Sequence, residues 1–537
     1  MRDPRPLVVL ALLLLVVLVA RRWIRAVPAL PPSMRLRGAV AVAAAAFTMA
    51  LTVWVWGGLR APAVVDDEAA YVLQADLFAH GRWTRPSPSP SLSFTQPAVL
   101  VTPVLAPKMP PGHALLLAPG ALIGLPGLIP VLLSGATAAL LVLLVCEVQS
   151  PAVAVLTVIV WLTFAGQMRW RASYFSEITT GMLWLLGWWA LLRWRQTRRT
   201  GWLLLLAMAI GWGAITRPLT MLAFALPIGI VVLRDVIRGK HWRQLAGAMA
   251  IGVACLALLP IQNYEVLGNW RESPLALYTS QYMPFDRIGF GFDSTPPSLG
   301  LPVDLQAAQL PIMARHREHQ PSALPRVLAT RLWELRMSTV GGWRVLWIPA
   351  LIVGIVIVGV SGWFAIASVL TLYLAYLLYA HEPHWTVYYL EATPVVAFVC
   401  ATGLAWLLAR ATAVRRELPL ATAALAALAI LAIGWRELYT ARTFRAGAQK
   451  PFRALEHDVA ATGIPHALVF IRNSVGHGPS VNFVRNVADA ARAPILTAYD
   501  RGPADKARTM AHYPDRAVLY WDGDLTHLVG PTRDTLP

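Results

Sequence analysis

An all-α polytopic membrane helix bundle with a small soluble α/β domain at its C-terminal end is the fold class this sequence predicts, on three observations. Of its 537 residues 57% are apolar and only 14% charged, with a mean hydropathy of +0.55, against roughly 45–50% and about 25% in soluble domains. Stretches almost free of charge recur along the chain. The arginines gather in a few short loops between those stretches, and the last hundred residues lose the apolar density.

The uncharged stretches lie near residues 7–24, 38–59, 126–146, 151–168, 178–192, 202–215, 219–233, 244–264, 345–360, 363–380, 390–409 and 418–435. A helix crossing a ~30 Å hydrocarbon core needs about 20 such residues, so the pattern predicts about twelve transmembrane helices. The first run follows Arg2 and Arg5 and is closed by Arg21 and Arg22. With no small-residue cleavage site it reads as a retained helix rather than a signal peptide. The expected division is 1–37 as N-terminal helix and basic loop, 38–435 as the membrane domain, and 436–537 as a soluble exterior unit.

The net charge is +18, from 46 Lys and Arg against 28 Asp and Glu. In a soluble protein this excess would suggest nucleic acid; here its distribution reads as topology, and nucleic acid is not an expected partner. Arg21, Arg22, Arg25, Arg35 and Arg37 share one loop and Arg193, Arg195, Arg198 and Arg199 another. Arg234, Arg238, Lys240 and Arg243 fill a third, and Arg410, Arg415 and Arg416 a fourth. If the helices alternate, all four fall on one side, which the positive-inside bias makes the cytoplasm of a multi-pass inner-membrane protein. The loops at 60–125, 169–177, 265–340 and 381–389 and the C-terminus are then exterior, or periplasmic. Cys146, Cys255 and Cys400 all sit in apolar spans, so neither a disulfide framework nor a cysteine metal site is expected.

The exterior segment 60–125 opens with Asp66, Asp67 and Glu68, with Tyr71 close behind. Residues 67–81 read as a short amphipathic helix stopped by Gly81. The alternating prolines and serines at 85–91 predict an irregular loop. Lys108 then precedes Met109, Pro110, Pro111, Gly112 and His113, and prolines ahead of an apolar run pre-set a helix start whose free N–H groups favour an anion. The second exterior segment, 265–340, is rich in aromatics and ends in an amphipathic stretch through Leu324, Leu328, Leu332 and Leu335. That stretch suits a helix lying on the bilayer surface, or one packed over the bundle. In the C-terminal hundred, 466–471 and 517–521 read as buried strands and 481–491 as helical, a small α/β unit.

Several groups bear chemistry, each with a plain structural alternative. Carboxylates where an apolar span meets water can take a proton from an attacking hydroxyl; acids at a helix N-terminus are also favoured by its dipole alone. Lys108 suits a phosphate as a compact cation, or the lipid headgroup level. Arg217 lies between two short apolar runs, so it is recessed and needs an anion: a lipid phosphate, or one of the acids. Glu177 opens a helix and caps it or acts in the site. His113 is a ligand or a hydrogen-bonded structural group. His381, Glu382, His384, Tyr388, Tyr389 and Glu391 share one loop, with only a weak zinc signal. A divalent metal is left open.

An Asp-Glu pair followed by Ala-Ala-Tyr in the first large exterior loop, then Gly81, then Lys-Met-Pro-Pro-Gly-His at 108–113, resembles the polyprenyl-phosphate-sugar-dependent glycosyltransferases of the C superfamily. These include the protein O-mannosyltransferases and the lipid A aminoarabinose transferases. The resemblance runs on through Thr-Arg-Pro at 216–218 and Tyr-Tyr-Leu-Glu-Ala-Thr-Pro at 388–394. It implies inverting transfer of a sugar from a polyprenyl-phosphate donor to a glycolipid, polysaccharide or protein acceptor. By position it implies Asp67 as the base, with Glu68 and Asp66 beside it, and Lys108, joined by Arg217, on the donor phosphate. Tyr71, His113, Glu177, Tyr388 and Tyr389 follow as cavity residues. Val387 stands where many relatives carry arginine, and Glu177 where several carry aspartate.

Two other classes compete. A transporter or flippase for lipid or polysaccharide usually holds acids or bases near the bilayer midplane, whereas here the polar clusters gather on one face. A non-catalytic assembly subunit would not require an acid, a lysine and a recessed arginine facing one compartment.

Overall fold

Helices form at eleven of the twelve predicted spans. The computed structural model describes residues 34–164, 166–414, 418–472, 482–489, 493–523 and 526–529, so the span predicted at 7–24 lies outside the described residues, as do Arg21, Arg22, Arg25, Arg415 and Arg416. Six helices are long and apolar enough to cross a membrane: Leu36–Trp56, Leu128–Val148, Pro218–Gly239, Trp242–Leu267, Gly359–Tyr376 and Thr386–Arg410. Pro321–Val340 and Gly342–Ile357, bent by 86°, make a seventh if counted as one span. Among the described residues six or seven therefore stand where about twelve were expected.

The shortfall has physical causes. Pro151–Leu162 and Thr200–Ala214 hold 12 and 15 residues, which reach roughly 18 and 22 Å at ~1.5 Å per residue and fall short of the ~30 Å core. Glu177–Thr197 is 21 residues long but carries Glu177, Arg193, Arg195 and four tryptophans. On four of the six long helices Val42, Leu222, Ile230, Val253, Val360 and Leu374 are each more than half exposed. Apolar surface on this scale faces lipid, and the chain is a multi-pass membrane protein.

One face of the bundle carries the polar superstructure. The predicted amphipathic helix is Asp66–Ala79, and Gly81 stops it with φ +66°, which a glycine adopts without strain. The stretch expected to be irregular instead contributes an edge to a three-stranded sheet, with Val104–Pro107 between Arg85–Pro86 and Val99–Leu100. Helix Pro111–Leu122 follows, with proline at its first turn.

Helix Leu418–Ala461, 44 residues long, leads to a four-stranded sheet in the order Ile495–Tyr499, Ala467–Arg472, Ala517–Asp522, His527–Val529. The first three strands are parallel and the last antiparallel. Both predicted strands are present. The helix read at 481–491 is not: residues 482–489 have no helical turn. Asn486 explains this, because its side-chain amide exchanges hydrogen bonds with the Thr497 backbone at 2.8 Å each way and so extends the sheet edge by imitating a strand residue.

A buried ion pair ties the two parts together. Arg445 of the long helix donates to Glu68 at 2.9 Å, with 1% and 0% of the side chains exposed. Removing one partner from such a pair strands a charge, at about 3–5 kcal/mol, whereas replacing both together is nearly neutral. Arg445→Met should therefore lower the thermal midpoint sharply in detergent, and adding Glu68→Gln should restore most of the loss. Equal melting of Arg445→Met and wild type contradicts this coupling.

Candidate functional site

The three adjacent acids at the start of helix Asp66–Ala79 serve three separate ends. Successive residues on an α-helix point about 100° apart, and the side chains fan out accordingly. Asp66 accepts from Arg485 of the C-terminal unit at 3.2 Å, and the same guanidinium also donates to the carbonyls of Ala63 and Val64. Glu68 accepts from Arg445 and from the Val64 amide. Asp67 points into a cavity of about 960 Å³. The structure thus does not bring Asp66 or Glu68 to the cavity wall; they were predicted beside the base, and they are docking residues because helix rotation carries them past the opening.

Lys108 lines the same cavity. It follows the central strand of the small sheet, and its backbone amide donates to the Ala98 carbonyl at 3.0 Å. The next residue is clamped from two sides: the Met109 carbonyl accepts from Gln74 at 2.8 Å and from Gln262 at 2.9 Å. Since Gln74 belongs to the helix that carries Asp67, this carbonyl sets the lysine and the aspartate in fixed relation. Lys108 Nζ rests 4.6 Å from the Tyr278 ring centroid, a cation–π contact. Among the described residues it has no carboxylate within 4 Å, and the Asp67 carboxylate has neither a hydrogen bond nor an ion pair.

Arg217 is the residue before helix Pro218–Gly239. Its guanidinium pairs with Glu177 at 2.8 Å, donates to the Tyr376 hydroxyl at 2.7 Å, and lies 5.2 Å from the Tyr388 ring centroid. Of the two anions the sequence left open for it, the structure supplies the acid. Arg217 nonetheless keeps a face on the cavity, together with Glu177, Tyr71, Tyr376 and Tyr388. The Tyr71 hydroxyl donates to Ser176 at 2.9 Å, joining the acidic helix to the head of Glu177–Thr197. The turn that presents Arg217 is pressed against Gly112, whose amide donates to the Ile215 carbonyl at 2.9 Å. A Cβ at position 112 would meet that same oxygen at 2.9 Å and Thr216 closer still.

His113 does not reach the cavity wall. It is fully buried, with Nε2 2.9 Å from the Tyr174 carbonyl and Nδ1 2.8 Å from the Thr179 hydroxyl. A carbonyl can only accept, so Nε2 carries the proton and Nδ1 accepts. Tyr389 is likewise behind the wall, stacked on Tyr373 at 4.4 Å and bonded to His381 at 2.9 Å. The weak zinc reading of that loop is not met, since Glu382 is taken by Arg315 at 2.9 Å. Among the described residues no three His, Cys, Asp or Glu side chains are grouped to hold a metal.

Two cavity carboxylates were missed, Asp286 and Asp293, the latter paired with Arg287 at 3.2 Å. Asp286 contacts Tyr379 and His316 at 3.1 and 3.3 Å. The only sequence signal is an acid among aromatics in the long segment 265–340, because its partners come from distant positions. Asp67 and Asp286 differ electrostatically. Burial raises the Asp67 carboxyl above the ordinary aspartate range, with Lys108 pulling it back and Asp66 pushing it up. Burial also acts upward on Asp286, but its hydrogen bond to His316 and the charge of Lys108 outweigh it and hold that group low. Environments that push two carboxyls apart separate a proton acceptor from a fixed anion.

Fold and site together define a multi-pass membrane protein with a chamber of largely apolar walls that holds an acid and a lysine, neither with an ion-pair partner among the described residues. No family model matches the chain, and no curated protein matches it. Among solved structures it is similar to ArnT from Cupriavidus metallidurans bound to undecaprenyl phosphate, at 14% identity and TM-score 0.45 over 91% of this chain and 90% of that one. It is also similar to the same protein in the apo state, at 13% identity and TM-score 0.41 over 95% and 88%.

Gln74→Leu leaves the buried Met109 carbonyl with one donor, Gln262, and frees the lysine strand from the acidic helix, a loss of about 0.5–1.5 kcal/mol. The thermal midpoint should fall, and a spin label near residue 108 should broaden its distance distribution to one on the acidic helix. An unchanged distribution rules out this clamp.

Proposed function

We propose that the chamber belongs to an integral membrane glycosyltransferase that moves a sugar from a polyprenyl-phosphate donor to an acceptor hydroxyl, with inversion, on the exterior (periplasmic) face of the inner membrane. The observation that carries this reading is that Asp67 and Lys108, each without an ion-pair partner among the described residues, line one cavity of about 960 Å³, near the upper end of the ~300–1,000 Å³ range of small-molecule sites. Orientation is supported by Arg195 and Arg234, which end the helices whose other ends bring Glu177 and Arg217 to the cavity; arginine at those ends favours the cytoplasm. Residues 38–435 would form the chamber and 436–537 an exterior unit that braces it through Arg485 and Arg445.

In this mechanism the Asp67 carboxylate takes the proton of the acceptor hydroxyl as its oxygen attacks the anomeric carbon. The bond from that carbon to the phosphate oxygen breaks on the opposite side. The polyprenyl phosphate leaves with the electron pair, its charge met by Lys108 and, beyond it, by the face of Arg217. Glu177 already neutralises Arg217, so Lys108 carries the larger share of this stabilisation, and the Glu177 pair keeps the guanidinium oriented. The cavity also offers apolar walls for a lipid tail, including Leu219, Leu275 and Ile288. The order of motifs from Asp67 to the Tyr-Tyr pair, with its resemblance to the C superfamily, agrees with this assignment.

The direct test is incubation of purified protein with a panel of polyprenyl-phosphate sugars, with mass spectrometry of glycolipid, polysaccharide and protein acceptors. Asp67→Asn should keep the wild-type melting curve and lower turnover by about 10²–10⁴-fold, the usual contribution of a general base. Full turnover in that variant excludes Asp67 as the base.

The pH profile gives an independent check. A base works only when ionised, and burial raises Asp67, so kcat/KM should rise with pH through a limb above the ordinary aspartate value of about 3.9. Lys108→Met removes the strongest influence holding that carboxyl down and should shift the limb to higher pH while raising KM for the donor. A limb that stays in place breaks the link between the two residues.

A further inference from the structure

The helices that bring Glu177 and Arg217 to the chamber end, on the opposite face, in arginines. Arg195 lies roughly 27 Å from Glu177 at ~1.5 Å per residue. A second cavity of about 350 Å³ opens there, with none of its lining shared with the first. Its walls are apolar, with Leu141, Trp188, Leu191, Phe364 and Phe398 among them, and its polar side chains are Arg195, Arg234 and Ser361. That is more than twice the ~150 Å³ of an apolar cavity able to take up benzene. Val360 on its wall is 89% exposed and neighbouring Trp363 51%, so the slot opens on the lipid-facing surface.

The charge at its mouth is unbalanced. Asp235, 6% exposed, pairs with Arg195 at 2.9 Å, Arg234 at 3.1 Å and Arg198 at 3.4 Å. Glu147, at the end of Leu128–Val148, is engaged by Arg193 at 3.6 Å and Gln196 at 3.2 Å. Three guanidiniums on one carboxylate leave two formal positive charges, and all three arginines remain 40–49% exposed. Snorkelling accounts for a lone arginine at a helix end. It does not account for three drawn together beside an apolar slot. Guanidiniums grouped in this way match the oxygens of a phosphate.

We propose that this slot binds one acyl chain of an anionic phospholipid from the leaflet on the arginine-rich face, with the phosphate held by Arg195, Arg198 and Arg234. The site has the lipid's own order, charge at the helix ends and hydrocarbon toward their middle. The assignment is independent of the donor chemistry argued for the other cavity.

The test uses full-length wild-type protein in phosphatidylcholine nanodiscs containing phosphatidylglycerol with a photoreactive diazirine in one chain. Labelling should fall on residues 185–195, 360–365 and 394–398, and a phosphatidylcholine probe of the same chain should label them at least about fivefold less, given ~1 kcal/mol per arginine near an anionic headgroup. Equal labelling by the two headgroups, or labelling confined to other segments, overturns the proposal without recourse to variants, as does displacement of the probe by a polyprenyl phosphate but not by phosphatidylglycerol. Neutralising the group together (Arg195→Gln, Arg198→Gln, Arg234→Gln and Asp235→Asn) should abolish headgroup selectivity. Ala365→Trp should block labelling of the slot while the charge remains.

Discussion

The structure depends on the rotation of one helix. Asp66, Asp67 and Glu68 occupy consecutive positions, and about 100° per residue sends them to the C-terminal unit, the chamber and the long helix in turn. Two of the three are fixed by arginines, Arg485 and Arg445, which locks the rotation of the helix and so the direction of the third. A register change of one residue would place a paired acid in the chamber and leave Asp67 against an interface. The ion pairs on either side therefore orient the chamber acid, although neither touches the cavity.

The same division between committed and uncommitted charge runs across the chamber. Arg217 and Glu177 neutralise one another at 2.8 Å, and Tyr376 and Ser176 absorb further donors of the guanidinium. A buried ion pair of this kind contributes little net stability, but it holds an arginine at a set angle in a place where a lone cation would be costly. Lys108 is handled differently, resting on the Tyr278 face and kept in line by the Met109 carbonyl. A cation on an aromatic face keeps its charge available to an incoming anion. Asp286 completes the set as the low carboxyl, anchored by His316 and Tyr379.

The C-terminal unit owes its place to local chemistry that hydrophobic patterning does not register. Asn486 imitates a strand residue against Thr497, and the Ala488 amide donates to Asp76 of the acidic helix at 2.7 Å. Those two contacts turn a stretch with helical periodicity into an edge that joins sheet to membrane domain. The strands Ile495–Tyr499 and His527–Val529 escaped prediction for different reasons: four successive buried residues in the first leave no alternation to read, and the three residues of the second are too few for a period-two signal.

Composition and spacing alone determined that the chain is a multi-pass helical membrane protein. They also determined which loops carry like charge, and that Asp67, Lys108 and Arg217 lie toward one face, because the free energy of placing charge in hydrocarbon is large enough to write itself into the order of residues. How many helices run the full depth was only partly legible: the run at 202–215 reads as short and is short, but 151–168 closes at Leu162 and the equally short run at 219–233 extends to the 22-residue Pro218–Gly239, through turns whose position depends on packing. The choice among three adjacent acids was not legible, nor was the partnership of Arg217 with Glu177, or the presence of Asp286. Each of these rests on contacts between residues tens to hundreds of positions apart, and only the folded chain brings such residues within 4 Å.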